Sequence, residues 1–367
     1  DRAMEASCVQ IDTARMIHNI KTIRAHIPPD VQLMAVVKND AYGNGALKTA
    51  ELALAHGFSL IGVARVEEAS FLQKNGITAP IMILGLVPKE EWEDAVQGGF
   101  LIPLDTEKDA EALEAAAKGL GKKALVMAAV DTGLHRIGAS VEKTEALVSK
   151  IRALPFLKLC GLFTHFIEPE LRDKSRTWKQ LDLFKKALLA VGDTEGLLIS
   201  AADSAAAEDM EETWFNMVRI GCLITGIQPS KEMAHPFPLE PVFSLVSKVI
   251  HVQKVKKGET IGYDGTFEAP GDMYVATVPI GYGDGYRRSL SGKASVLIQG
   301  KMRKITGLIC MDQMMVEADA SVKTGDLVVL VGKQGSLEIR ATNLAEMCDA
   351  NVHEFLGGFR RLEKRYI

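Results

Sequence analysis

Six groups of polar residues break an otherwise apolar sequence. They are Lys38 with the run Asn39-Asp40-Ala41-Tyr42-Gly43-Asn44-Gly45 after it, the segment Asp131-Thr132-Gly133-Leu134-His135-Arg136, His165, Asp203-Ser204-Ala205-Ala206, Arg219, and Gly221-Cys222. A lysine withdrawn from water has a lowered pKa and becomes a nucleophile toward carbonyl carbon. A serine hydroxyl and backbone N–H groups beside glycine make a cradle for phosphate. Together they suggest pyridoxal 5′-phosphate (PLP), which carries an aldehyde and a phosphate and brings its own electron sink. An aldolase acting on a phosphorylated substrate would carry the same pair. Taken singly, Lys38 reads as a solvated lysine and His165 as a packed or capping histidine. Only their convergence points to one site.

That convergence requires elements that bring the six groups to one rim. Apolar runs at Leu33–Val37, Leu60–Ala64, Ile81–Leu86, Phe100–Leu104, Ala124–Val130, Leu157–Thr164, Leu197–Ala201 and Met217–Gly221 alternate with amphipathic stretches. The latter include Ala46–His56, Val66–Lys74, Thr106–Lys118, Val141–Leu154 and Arg176–Ala190. Strands apolar at nearly every position suit a parallel sheet buried on both faces. Eight of them alternating with helices is the count of a (β/α)8 TIM barrel, whose functional face is the C-terminal end of its strands. An open doubly wound sheet also alternates, usually with fewer strands. In the barrel, every polar group named above follows or ends a strand except Arg219, which the eighth strand carries. Ser204 and Gly221-Cys222 follow the seventh and eighth, where barrels commonly bind phosphate.

Beyond Gly226 the texture changes. His235-Pro236-Phe237-Pro238-Leu239-Glu240-Pro241 reads as a proline-rich connector. After it, short runs at Val242–Val255, Tyr274–Pro279, Ala294–Ile298, Met314–Ala318 and Leu327–Val331, separated by glycine turns, predict a mostly-β module with one helix near Ala341–Cys348. The expected class is α/β: a barrel over 1–236, then a β-domain over 237–367.

The 367 residues carry 43 Lys+Arg against 47 Asp+Glu, a net charge of −4, which lacks the basic excess of a nucleic-acid binder. Cys8, Cys160, Cys222, Cys310 and Cys348 show no C-x-x-C spacing. They read as reduced thiols of a cytoplasmic protein, with no zinc or other metal site. No apolar run reaches the length of a membrane span, so no membrane contact is expected of this chain. Its start at Asp1 reads as the trimmed or soluble part of something longer.

The motifs resemble one family. Ala35-Val36-Val37-Lys38-Asn39-Asp40-Ala41-Tyr42-Gly43-Asn44-Gly45 is similar to the PLP-lysine motif of the alanine racemases. The similarity continues through Asp131–Gly138, Phe163-Thr164-His165-Phe166, Ser204-Ala205-Ala206 and Met217-Val218-Arg219-Ile220-Gly221. It extends to Gly262-Tyr263-Asp264-Gly265-Thr266-Phe267, Pro279-Ile280-Gly281-Tyr282-Gly283-Asp284-Gly285 and Ile309-Cys310-Met311-Asp312-Gln313. The motifs are collinear and span essentially the whole chain.

The resemblance implies a PLP-dependent racemase of small amino acids acting as a homodimer with shared active sites. Lys38 would carry PLP and act as base on one face of the substrate Cα. Tyr263 of the partner subunit would be the base on the other face. Arg219, with His165 in its network, would face the pyridine nitrogen. Tyr42, Ser204, Gly221 and Cys222 would bind phosphate. Arg136 and the backbone of Met311 would hold the substrate carboxylate, and Tyr282 would narrow the entrance.

The chain departs from the family at four places. Ala129 stands where members often carry a carbamylated lysine, and Ser200 and Asp203 where His and Asn are usual. Near the C-terminus the family has a tyrosine beside the catalytic one, whereas this chain reads Ala350-Asn351-Val352-His353-Glu354. Asn351 or His353 takes that place. Either opens room and adds a polar group beside the substrate β-carbon, so serine is expected to be racemised at least as well as alanine. This resembles the racemase half of the membrane-anchored serine racemases of vancomycin resistance, which would supply D-serine for peptidoglycan precursors. A strict alanine racemase, a barrel-type PLP decarboxylase and a non-catalytic PLP carrier are the alternatives. Arg219 argues against the decarboxylase, and Tyr263 with the second domain against the carrier.

Overall fold

The computed structural model describes residues 6–367; Asp1, on which the reading of the start rests, lies outside them. Two compact units divide the chain. One comprises Arg15–Ala41 and Gly45–Pro241, the other the described residues up to Ala14 together with Tyr42–Asn44 and Val242–Ile367.

The first unit is a nearly closed parallel barrel of eight strands: Gln32–Val36, Leu60–Val63, Ile81–Ile83, Leu101–Leu104, Ala124–Asp131, Leu157–Phe163, Leu198–Ser200 and Met217–Ile220. The first seven pair in sequence order, each with the next, and the eighth returns to the first with Met217 opposite Gln32. Between the seventh and eighth, the Arg219 N–H donates to the Ala202 carbonyl at 3.0 Å. Leu60–Val63 and Leu101–Leu104 are buried at every position, as strands between a packed interior and a layer of helices must be. Met34, Val36, Leu60, Met82, Leu101, Met127, Ala129, Phe163 and Met217 form one core cluster. Unbranched methionines fit its irregular space, and truncating one to alanine would cost about 2–5 kcal/mol.

The helices form where apolar spacing and caps agree. In Glu107–Gly119, Ala110, Leu113 and Ala117 are buried, and the Thr106 side chain accepts the Asp109 N–H at 3.1 Å. Such a cap contributes about 1 kcal/mol. These elements follow the expected ones within a few residues.

The second unit is built on a mostly antiparallel sheet. Cys8–Ile11 runs antiparallel to Phe243–Lys248 and parallel to Glu363–Tyr366. Leu327–Gln334, Ser295–Ile298, Lys301–Thr306, Met314–Ala318, Met273–Val278 and His251–Val255 continue the sheet. The division therefore differs from the expected 1–236 and 237–367 in three respects. The opening strand and the short segment Tyr42–Asn44 belong to the β-unit, and the connector belongs to the barrel unit up to Pro241. Two contacts hold the connector there. Asn19 accepts the Glu240 N–H and donates to its carbonyl, both at 2.8 Å, and His26 stacks on Phe237 at 4.5 Å.

Candidate active site

Lys38 follows the first barrel strand, where Val37 donates its N–H to the Gly62 carbonyl at 2.8 Å. It opens the short helical turn Lys38–Gly43, which is wound left-handed: φ is 52° at Asn39, 57° at Asp40, 51° at Ala41 and 58° at Tyr42. L-residues avoid this conformation by about 1–2 kcal/mol each. Four in succession persist only because surrounding contacts determine them, a pattern typical of functional segments. Asp40 Oδ1 accepts the Ala46 N–H at 2.9 Å, and Glu68 Oε1 accepts that of Asn39 at 2.6 Å. Burial pushes the Lys38 amine below its usual range; Arg136 and Arg219 add to this and Glu68 opposes it.

Arg219 lies on the eighth strand and is 5% exposed. Its Nη1 donates to Ser200 Oγ at 2.6 Å, and its Nη2 to the Thr164 carbonyl at 2.7 Å and His165 Nδ1 at 3.2 Å. Burial lowers the guanidinium to about 10, with Asp203 opposing, so it stays charged at neutral pH. Burial lowers His165 to about 3, reinforced by Arg219, Arg136 and Lys38. The imidazole is therefore neutral. With Nδ1 accepting from Arg219, its proton sits on Nε2.

Arg136 is exposed in the loop after the fifth strand. Asp131 shapes that loop, accepting the N–H groups of Gly133 at 2.9 Å and His135 at 3.0 Å while its Oδ2 meets His135 Nδ1 at 2.8 Å. Gly138, at φ 121°, must be glycine: a Cβ there would lie 2.4 Å from the Asp131 nitrogen. Ala129 borders a void of about 20 Å³ shared with Arg136, Phe163 and His165, room for about one water.

Ser204 begins the short helix after the seventh strand, and its Oγ accepts the Gly221 N–H at 3.0 Å. Asp203 caps that helix through the Ala206 N–H at 3.0 Å, and burial raises its carboxyl above the usual range. Cys222 is buried and its thiol is pushed up by burial to about 12, so its backbone rather than a thiolate is what it can offer.

This donor set fits PLP. The barrel mouth holds a partly dehydrated amine, a buried guanidinium with no carboxylate within ion-pair distance among the described residues, a neutral imidazole, and a hydroxyl beside backbone N–H groups. Buried positive charge without a paired anion suits an anionic ligand.

Sequence reasoning missed two residues here. Gln180, 2% exposed on the helix Ser175–Val191, donates to Thr132 Oγ1 at 3.2 Å and the His165 carbonyl at 3.1 Å, and accepts the Ile167 N–H at 2.9 Å. A buried amide on an otherwise apolar helix face was its available signal. Glu68 looked like an ordinary first-turn acid.

The β-unit brings together Tyr263, Tyr282 and Met311, which are 67%, 41% and 55% exposed. Tyr263 and Met311 line a depression of about 380 Å³ with Gly262, Cys310, Asp312 and Gln313. Tyr282 donates its N–H to the Cys310 carbonyl at 3.0 Å, and Gly283 to that of Met311 at 2.8 Å. A Cβ on Gly281 would lie 2.2 Å from the Cys310 oxygen, so only glycine allows this approach. Exposed aromatic and apolar side chains clustered on one surface mark an interaction site. Asn351 and His353 separate in role. The exposed Asn351 caps the helix Val352–Gly357, its Oδ1 accepting the His353 N–H at 2.8 Å. The His353 ring lies 4.9 Å from that of Tyr42.

Residues 11–229 match the family model "Alanine racemase, N-terminal domain" and residues 242–366 match "Alanine racemase, C-terminal domain". The chain is 38% identical to alanine racemase 1 of Bacillus subtilis (strain 168), over 92% of this chain and 86% of that relative. A solved alanine racemase from Clostridium difficile 630 matches it with a TM-score of 0.95 at 32% identity, covering 100% of this chain and 97% of its own. The structure of the Bacillus anthracis alanine racemase with bound L-Ala-P gives 0.94 at 32%, covering 100% and 96%. A histidine racemase from Leuconostoc mesenteroides subsp. sake gives 0.92 at 28%, covering 99% and 98%.

Proposed function

Since the chain belongs to the alanine racemase family and is thus an amino-acid racemase, we propose that it interconverts L- and D-serine, and L- and D-alanine, with PLP held through Lys38. The observation that carries this reading is the half-buried, cation-flanked amine of Lys38 at the barrel mouth. Ser204 and the backbone of Gly221 and Cys222 would hold the phosphate with Tyr42, whose ring His353 braces. Arg219 would face the pyridine nitrogen. Being charged and already donating to four acceptors, it would not protonate that nitrogen, which favours return of the proton to Cα over side reactions. When bound, PLP supplies the sink for negative charge at Cα.

The chain's own groups do the rest. Arg136 and the Met311 N–H of the partner subunit pair with the substrate carboxylate and fix its orientation. Lys38 Nζ takes or returns the Cα proton on one face. The hydroxyl of the partner subunit's Tyr263 does so on the other, so that a proton leaving one face is replaced from the opposite one and the centre inverts. Tyr282 of the partner subunit narrows the entrance and excludes water. A homodimer with shared sites is supported by the exposure of Tyr263 and Met311 on one depression of the β-unit and of Tyr282 on the same unit.

Serine enters through Asn351. Its Oδ1 is engaged in the helix cap, which leaves the Nδ2 hydrogens to meet a substrate hydroxyl. The histidine racemase among the similar structures is a family-fold enzyme whose name gives a side chain larger than methyl. Supply of D-serine for altered peptidoglycan precursors, made in the cytoplasm, belongs to the same proposal. No helix among the described residues is long and apolar enough to cross a membrane.

Subunit mixing tests the reading. Lys38→Ala and Tyr263→Phe chains are each expected to be inactive as homodimers. Unfolded together and refolded, random pairing gives each heterodimer one intact site, and about a quarter of wild-type activity should return. No recovery from correctly folded heterodimers would overturn the shared site.

A further inference from the structure

The strain stored after Lys38 has to be held by something, and Glu68 is placed to hold it. The residue sits in the first turn of the helix Val66–Lys74, behind the second barrel strand. Its Oε1 accepts the Asn39 N–H at 2.6 Å, the amide of the peptide bond that Lys38 itself forms with the left-handed turn. Its Oε2 accepts the N–H groups of Ala64 at 2.8 Å and Arg65 at 2.9 Å, at the end of the second strand. One carboxylate thus fastens the backbone of the first strand's end to that of the second. Charge-assisted hydrogen bonds of this length are roughly twice as strong as neutral ones.

We propose that Glu68 is a positioning residue for Lys38: it locks the amine's peptide against the neighbouring strand end and supplies the negative charge that keeps the amine from being wholly dominated by the cations of the barrel mouth. The inference rests on the proposed role of Lys38. Arg136 and Arg219 act on Lys38 as positive charges from the loop after the fifth strand and from the eighth strand, and the neighbouring His165 is neutral. Of the charges acting on Lys38 among the described residues, only Glu68 is negative. Its own immediate neighbours are Arg65 at the helix cap and Glu67, while Asp40 is engaged by the Ala46 N–H. Removing the Glu68 charge therefore disfavours the ammonium form of Lys38.

The test strips the full-length chain of cofactor and follows uptake of added PLP by absorbance across pH, together with the acid limb of kcat in the loaded enzyme. Only the neutral amine attacks the PLP aldehyde, expelling its oxygen as water, so the uptake midpoint reports Lys38. Glu68→Gln should move that midpoint to lower pH and speed uptake severalfold on its acid side. The acid limb of kcat, which reports Lys38 once substrate has freed its amine, should move the same way. Glu68→Asp keeps the charge and shortens the reach, so its midpoint should stay near wild type while uptake slows. Unshifted midpoints in Glu68→Gln, with only a lower Tm in both variants, would reduce Glu68 to a helix cap and overturn the proposal. If the Gln variant does not fold, a midpoint displaced in Glu68→Asp overturns it and an undisplaced one with slowed uptake supports it. Covalent PLP uptake by Lys38→Ala would instead overturn the reading of Lys38 itself.

Discussion

Asn351→Asp separates the serine proposal from every structural effect of the residue. Its Oδ1 caps the helix Val352–Gly357 through the His353 N–H at 2.8 Å, and aspartate caps as well as asparagine, so stability should hold within a few tenths of a kcal/mol. What disappears is the Nδ2 donor. Losing a neutral hydrogen bond costs about 0.5–1.5 kcal/mol, and leaving the partner hydroxyl dry and unpaired costs about 1–3 kcal/mol. With about 1.4 kcal/mol per factor of ten, the ratio of kcat/KM for L-serine to that for L-alanine should fall about tenfold. The new carboxylate also repels the carboxylate of both substrates, but that penalty is common to them and cancels in the ratio. Asn351→Tyr should lower the ratio further and cost about 1 kcal/mol of stability through the lost cap. The assay is the initial rate of optical-rotation loss for each amino acid, with urea unfolding as the stability control. An unchanged ratio in both variants refutes the assignment. A change produced instead by His353→Tyr would move the specificity role to the ring that lies on Tyr42.

Lys38→Ala should purify without the cofactor's colour and without activity, checked by absorbance and racemisation; a variant retaining both would contradict the assignment. Tyr263→Phe should keep its colour and lose exchange mainly from one enantiomer, while the equilibrium D/L ratio stays near one; unchanged turnover in both directions would exclude Tyr263 as a base. Burial raises Glu208 to about 7, although the Phe237 N–H and Gln228 pull it down. Its stabilising contribution is complete below the ordinary carboxyl range and lost as pH rises through about 7. Glu208→Gln should therefore match wild type in urea unfolding at acid pH and exceed it above neutrality by on the order of 3 kcal/mol; parallel curves would refute this.

The barrel was legible because its strands are buried on both faces, so Leu60–Val63 or Ala124–Val130 announce themselves by continuous apolar character. The residues ending those strands inherited their place from the fold, which is why Lys38, His165, Ser204 and Arg219 could be assigned to one rim. Cys8–Ile11 was missed because four residues carry too little pattern and their partners, Phe243–Lys248 and Glu363–Tyr366, lie far along the chain. The connector was cut too early because prolines mark a break in regular structure, not which side the break packs on; Asn19 and His26 decide that. The left-handed turn after Lys38 was hidden as well. Asn39, Asp40 and Gly43 tolerate positive φ, but Ala41 and Tyr42 do not advertise it, and the contact of Glu68 that stabilises it is tertiary.

The central claim, inversion at Cα by two bases on opposite faces, is tested most directly in deuterium oxide. L-serine and L-alanine are each incubated with the enzyme, and the isotope at Cα of both enantiomers is read during the first few per cent of reaction as optical rotation decays. Two bases predict that the newly formed D enantiomer carries solvent deuterium at Cα from the first turnovers, while the remaining L enantiomer stays largely protonated. Product that retains the original proton would point to a single base serving both faces. Constant optical rotation would contradict racemisation of that substrate altogether.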